Sequence, residues 1–171
     1  MKKSIVYFIL AMIIYTVMIT YTLPQIKLES GGLEVFDMRP TGYTVEEGKL
    51  ILDNITEKGL FIYRYIQLPL DFLYPMFLFL FTFNLWSVLL KGNRFYEFRW
   101  LTVFIMIFDY LENMGIYWIL QQQSALAIRV TNWMSILKAM STTVVMTLIL
   151  LSVVYKVYQF FIKKEKKHVK V

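Results

Sequence analysis

Residues 132–158 read NWMSILKAMSTTVVMTLILLSVVYKVY, and residues 100–120 read WLTVFIMIFDYLENMGIYWIL. Each is long enough to cross a bilayer, whose ~30 Å hydrocarbon core takes about 20 apolar residues as a helix. Each also carries what such a helix rarely holds: Lys138 in one, and Asp109, Glu112 and Asn113 in the other. A charge at the bilayer centre costs at least ~2.5–3.5 kcal/mol, so it is usually paired or functional. The two stretches predict an all-α membrane bundle with a polar site inside it.

Two further stretches, residues 4–23 and 68–90, meet the same criterion. The expectation is an integral membrane four-helix bundle, one domain spanning residues 1–171. Residues 4–23 follow Lys2 and Lys3 as a signal peptide would. They are too long for a typical signal core and no small-residue cleavage site follows, so they read as a retained span.

Composition agrees. Hydrophobic residues make up 58% of the chain, against about 45–50% in soluble domains. There is no cysteine, which excludes disulfides, thiolate metal sites and a Cys nucleophile. The only histidine, His168, sits in a basic tail, which argues against a His-based metal site or a Ser-His triad. No metal and no cofactor are expected. The net charge of +6 does not point to nucleic acid, because the excess flanks apolar segments. Lys2, Lys3, Lys91, Arg94, Arg99 and the lysines of residues 159–171 fit topology determinants and headgroup contacts. With four spans these basic ends fall on one side. The expected location is the cell membrane, multi-pass, with both termini cytoplasmic and residues 24–67 external.

Within 24–67, Thr44-Val45-Glu46-Glu47 fits a capping box. It predicts a helix from Thr44 to about Lys58, stopping at Gly59. Leu50, Ile51, Ile55 and Leu60 give it an apolar side, so it is expected to lie over the bundle or on the membrane surface.

The polar residues of the spans share faces. Asp109, Glu112 and Asn113 stand at i, i+3, i+4. Ser135, Lys138 and Thr142 form a stripe with Thr131, and Asp71 and Tyr74 face one way near Pro75. At 1.5 Å per residue, Asp71 lies ~5 Å from the outer edge, Lys138 ~9 Å, Glu112 ~12 Å and Asp109 ~16 Å. Thr16 and Thr20 fall in the same half. One lysine against two or three carboxylates leaves a surplus of negative charge, to be met by a proton or a second cation. Arg39 and Arg64 are the candidate cations.

Blander readings stand beside these. Polar groups in membrane bundles often only fasten helices, at ~0.6 kcal/mol per bond. Asp71 could cap a helix start, and Ser141 and Thr142 could bond back to their own helix. The methionines and the phenylalanines of 77–83 read as packing or lipid contact.

The order Phe36-Asp37-Met38-Arg39-Pro40-Thr41-Gly42-Tyr43, Leu68-Pro69-Leu70-Asp71-Phe72-Leu73-Tyr74-Pro75 and Asp109-Tyr110-Leu111-Glu112-Asn113 resembles a group of short bacterial four-span membrane proteins. That resemblance implies the fold and carries no activity. The layout is also similar to EXPERA-domain proteins, which include sterol isomerases and sterol-binding relatives. The similarity is architectural, and an intramembrane histidine of the isomerase kind is missing.

Four functions compete. The first is a binding protein for a lipid or other amphipathic small molecule, held by Asp71, Tyr74, Asp109, Glu112, Asn113, Ser135, Lys138 and Thr142 under Arg39 and Arg64. The second is an enzyme on such a substrate, with Asp109 or Glu112 as acid/base. The third is a proton- or ion-coupled carrier working as an oligomer. The fourth is a structural or assembly subunit with no ligand.

Overall fold

The computed structural model describes residues 2–168 and contains no strand among them. Val169, Lys170 and Val171 of the expected basic tail lie outside the described residues. In chain order the elements are α1 (Lys2–Val17), α2 (Leu23–Glu29), α3 (Val45–Asn54), α4 (Glu57–Ile62), α5 (Leu68–Leu89), α6 (Val103–Gln122) and α7 (Ala125–His168). Four helical stretches are long and apolar enough to cross a membrane: Lys3–Glu29, Glu57–Leu89, Tyr96–Gln122 and Ala125–Gln159. Their apolar surface points outward. In the most apolar part of Ala125–Gln159 only 11% of residues are buried, an arrangement that needs a hydrocarbon solvent. α1 packs along α5, α5 against α6, and α6 along α7.

The expected span ends at Pro24 and Leu68 are corrected. Helix continues through both prolines, because a π turn precedes each Leu-Pro pair: Met18–Thr22 before Leu23-Pro24, and Tyr63–Gln67 before Leu68-Pro69. Proline clashes with the carbonyl four residues back and cannot donate to it. The wider turn absorbs that conflict without ending the helix. The two π turns face each other, and buried Thr22 donates from its hydroxyl to the Gln67 side-chain carbonyl.

The expected helix from Thr44 to Lys58 is also corrected. The capping box forms as predicted, with Thr44 Oγ1 accepting from the Glu47 amide and Glu47 accepting from the Thr44 amide. The helix then breaks at Ile55, where Thr56 caps a new one, α4. Gly59 does not stop a helix. It lies inside α4, where a Cβ would come 2.8 Å from the Glu29 side chain, so it permits α2 and α4 to touch.

The connection expected over residues 121–131 is two residues long. Gln123 takes a left-handed conformation (φ 49°) and Ser124 caps α7 by accepting from the Ala127 amide. α6 and α7 therefore form a tight hairpin. At Gly115 a Cβ would lie 2.4 Å from Thr131 Oγ1, so the hairpin closes only because that side chain is absent.

Two apolar clusters fill the bundle. One, around Phe36, Ile51, Tyr63, Ile116 and Ile128, lies at the end carrying residues 30–56. The other, around Leu78, Trp86, Ile105 and Ile149, lies toward the opposite end. Asp71 on α5, Asp109, Glu112 and Asn113 on α6, and Ser135 and Lys138 on α7 all fall between the positions that feed the two clusters. The polar layer is thus walled off at both ends.

Candidate functional site: an acid-lysine cluster beneath the interhelical segment

Lys138 is the centre of that layer. Its Nζ lies 2.6 Å from Glu112 Oε2, 2.9 Å from Asp109 Oδ1 and 3.9 Å from Asp71 Oδ2. The carboxylate side chains are at most 3% exposed, whereas that of Lys138 is 21% exposed. An ammonium has three N–H donors, and here three acids converge on it. Helical phase explains the convergence: residues 109 and 112 share one face of α6 and meet the α7 stripe of Ser135 and Lys138. Asp71 reaches the same point from the first turn of α5, which continues the helix before it; the N-cap position is Gln67, so Asp71 is not a helix cap.

Asn113 joins the layer differently. Its Nδ2 donates to the Asp71 backbone carbonyl at 2.8 Å. That carbonyl would normally accept from residue 75, which is proline and has no N–H. Asn113 supplies the missing donor and fastens α6 to α5. Tyr74 is half-buried against Tyr15, with ring centroids 5.7 Å apart. Ser135 bonds back to the Thr131 carbonyl at 3.2 Å and Ser141 to that of Lys138 at 3.0 Å.

The two arginines are corrected. Neither neutralises the acids. Arg39 bonds Glu47 at 3.2 Å and the Glu34 carbonyl at 3.0 Å. Arg64 donates to the Leu120 carbonyl, at the C-terminus of α6, where unpaired carbonyls and the helix dipole attract a cation. Thr16 and Thr20 do not join the layer either: both are exposed and donate back to α1 carbonyls, of Met12 and Thr16.

A cavity of about 250 Å³ adjoins the cluster, lined by Asp37, Arg39, Glu112, Ser135, Lys138 and Thr142 among others. Asp37 is the residue that sequence reasoning missed. It sits in a short 3-10 turn, Phe36–Met38, held by buried Phe36 between Tyr43 and Tyr63. Tyr63 donates its hydroxyl to Asp37, and a second latch is the Tyr43 amide donating to Asn132 Oδ1 at 2.7 Å. Burial pushes the Tyr43 phenol up, so it stays protonated beside Ser135. Asp37 has no periodicity to reveal its direction; the flanking aromatics were the available signal.

The interhelical segment thus brings a further acid, Asp37, to the cavity, together with Arg39, whose guanidinium is paired with Glu47. Carboxyl groups therefore outnumber the single ammonium of Lys138 at this point. No group of acids among the described residues is arranged to hold a metal ion. No family model matches the chain, and no curated protein or solved structure is significantly similar to it. Fold and site define the class by themselves: an all-helical, multi-pass membrane protein with a charged cluster buried between its helices.

Proposed function

We propose that the chain binds an amphipathic small molecule or lipid, with its polar head in the cavity beside Lys138. The observation that carries this reading is the partial exposure of Lys138 on a cavity lined by Asp37, Glu112, Ser135 and Thr142. A pair serving only to fasten helices gains nothing from a cavity beside it. Pockets that take small molecules combine apolar walls with a few convergent polar groups. In this reading the acids accept hydrogen bonds from the ligand head, while Lys138 holds them in position. In the same reading residues 30–56 cover the mouth on the external side and both termini are cytoplasmic, the orientation that the basic residues favour.

The test is direct. Protein purified in mild detergent is extracted, and bound compounds are identified by mass spectrometry, for the wild type and for the Glu112→Gln/Lys138→Met double variant. The expected result is a stoichiometric amphipathic compound in the wild type and its loss from a folded double variant. The same compounds in the same amounts from both proteins would overturn the reading and leave a structural pair.

A further inference from the structure

A second cavity, of about 330 Å³, lies away from the polar site at the opposite end of the bundle. Trp86 reaches it from α5 and Leu90 from that helix's C-cap, Phe95 and Phe98 from the connection to α6, and Leu151 and Tyr155 from α7. Trp86 is 1% exposed, and its Nε1 donates to Ser152 Oγ at 3.2 Å. Phe98, Leu151 and Tyr155 are exposed, so the groove opens sideways from the bundle.

Its charge is as one-sided as its lining is apolar. Lys91 follows Leu90, and Lys156 stands one helical turn beyond Ser152 on the same face of α7. Arg94 lies with its guanidinium carbon 4.6 Å from the centroid of the Phe95 ring, which lines the groove. Within 84–100 and 145–162 the only carboxylate is Glu97, which pairs with Arg99 at 3.8 Å. The apolar groove is thus flanked by Arg94, which lies over a lining ring, and by Lys91 and Lys156, which adjoin lining residues along the chain and the helix face.

These features select one occupant. Between apolar surfaces in a bilayer there is no hydrophobic driving force, because lipid tails are as apolar as leucine. The lining alone thus gives no reason for a second protein to dock. The cations do discriminate, since each Lys or Arg near an anionic surface strengthens attraction about fivefold. An apolar tail carrying an anionic head satisfies both parts of the site. We infer that the groove binds one anionic phospholipid, an acyl chain lying among Trp86, Phe98 and Leu151 and the phosphate on Lys91, Arg94 and Lys156. This assignment uses the bilayer reading of the helices and is independent of any ligand beside Lys138.

The experiment is native mass spectrometry of the full chain released from detergent containing equal dioleoylphosphatidylglycerol and dioleoylphosphatidylcholine. The wild type should retain one phosphatidylglycerol in strong preference to phosphatidylcholine. The Arg94→Gln/Lys156→Gln variant alters solvent-reaching side chains only, and should lower that preference on the order of 25-fold. Leu151→Trp, at an exposed position, fills the groove with the cations intact and should abolish the retained lipid. Equal retention of the two lipids by the wild type overturns the assignment. So does undiminished lipid on the Leu151→Trp variant, which would place the lipid on the cations without the groove. A dimer that carries no lipid overturns it in favour of a second copy of the chain.

Discussion

Lys138 and its acids behave as one unit. Removing a single partner of a buried pair strands a charge, at a cost of ~3–5 kcal/mol. Lys138→Met removes the shared cation from three carboxyl groups, and Arg39 is already engaged by Glu47. Lys138→Met should therefore lower the thermal unfolding midpoint more than Glu112→Gln, which leaves the lysine with Asp109 and Asp71, and the double change should cost less than the sum of the two. Simple addition of the two losses would show that the residues do not act as a pair. Asn113 offers a second test at this scale. Asn113→Leu leaves the Asp71 carbonyl without its donor, which costs ~1–3 kcal/mol. In a Pro75→Ala background residue 75 regains an amide for that carbonyl, so the same Asn113→Leu change should cost distinctly less. An equal cost in both backgrounds would sever the link between Pro75 and Asn113.

At the scale of elements, the segment between α2 and α4 is held by specific contacts rather than by length of helix. α3 has ten residues, too few to persist in isolation. It depends on its cap, on Ile128 and on the Arg39–Glu47 contact. Glu47 is the pH-sensitive member. Hydrogen bonds from the Thr44 backbone and side chain, and then Arg39, hold its carboxyl below the ordinary value. A lowered folded pKa contributes stability that is fully present above the unfolded value, about 4.3. That stability is lost as pH falls through the folded value. Amide protection of α3, measured by hydrogen exchange, should therefore be constant above that range and fall below it. Glu47→Gln should flatten the profile. A profile that keeps its acid limb in Glu47→Gln assigns the titration elsewhere. Thr44→Ala should cost ~1 kcal/mol of local stability above that range.

At the scale of the whole molecule, the claim to test is orientation. The chain has no cysteine, so single cysteines report cleanly. Lys49 and Lys91 are both exposed and lie at opposite ends of the bundle. In right-side-out vesicles an impermeant thiol reagent should label Lys49→Cys without permeabilisation and Lys91→Cys only after it. Labelling of both from the same side would reject the topology, and with it the external placement of residues 30–56. Retention of the protein in the aqueous phase after detergent-free lysis would reject the bilayer altogether.

The amount of helix and its outward apolarity were legible in the chain because backbone groups in hydrocarbon must be satisfied within the segment. The pairing of Lys138 with Glu112 and Asp109 was legible for a related reason: helical phase and rise are fixed, so spacing alone places those residues on facing stripes. The capping box at Thr44 is equally local. What sequence could not supply was anything set by a partner at a distance. Proline normally reads as a break, and only the facing π turns, joined by Thr22 and Gln67, carry the helices through Pro24 and Pro69. Gly59 reads as a stop, and only the approach of Glu29 shows that it is a contact. Arg39, Arg64 and Asp37 lie at element ends or in irregular backbone, where no period says which way a side chain points. Their directions were decided by what else needed them: the Glu47 carboxylate, the open carbonyl at the end of α6, and the Tyr63 hydroxyl.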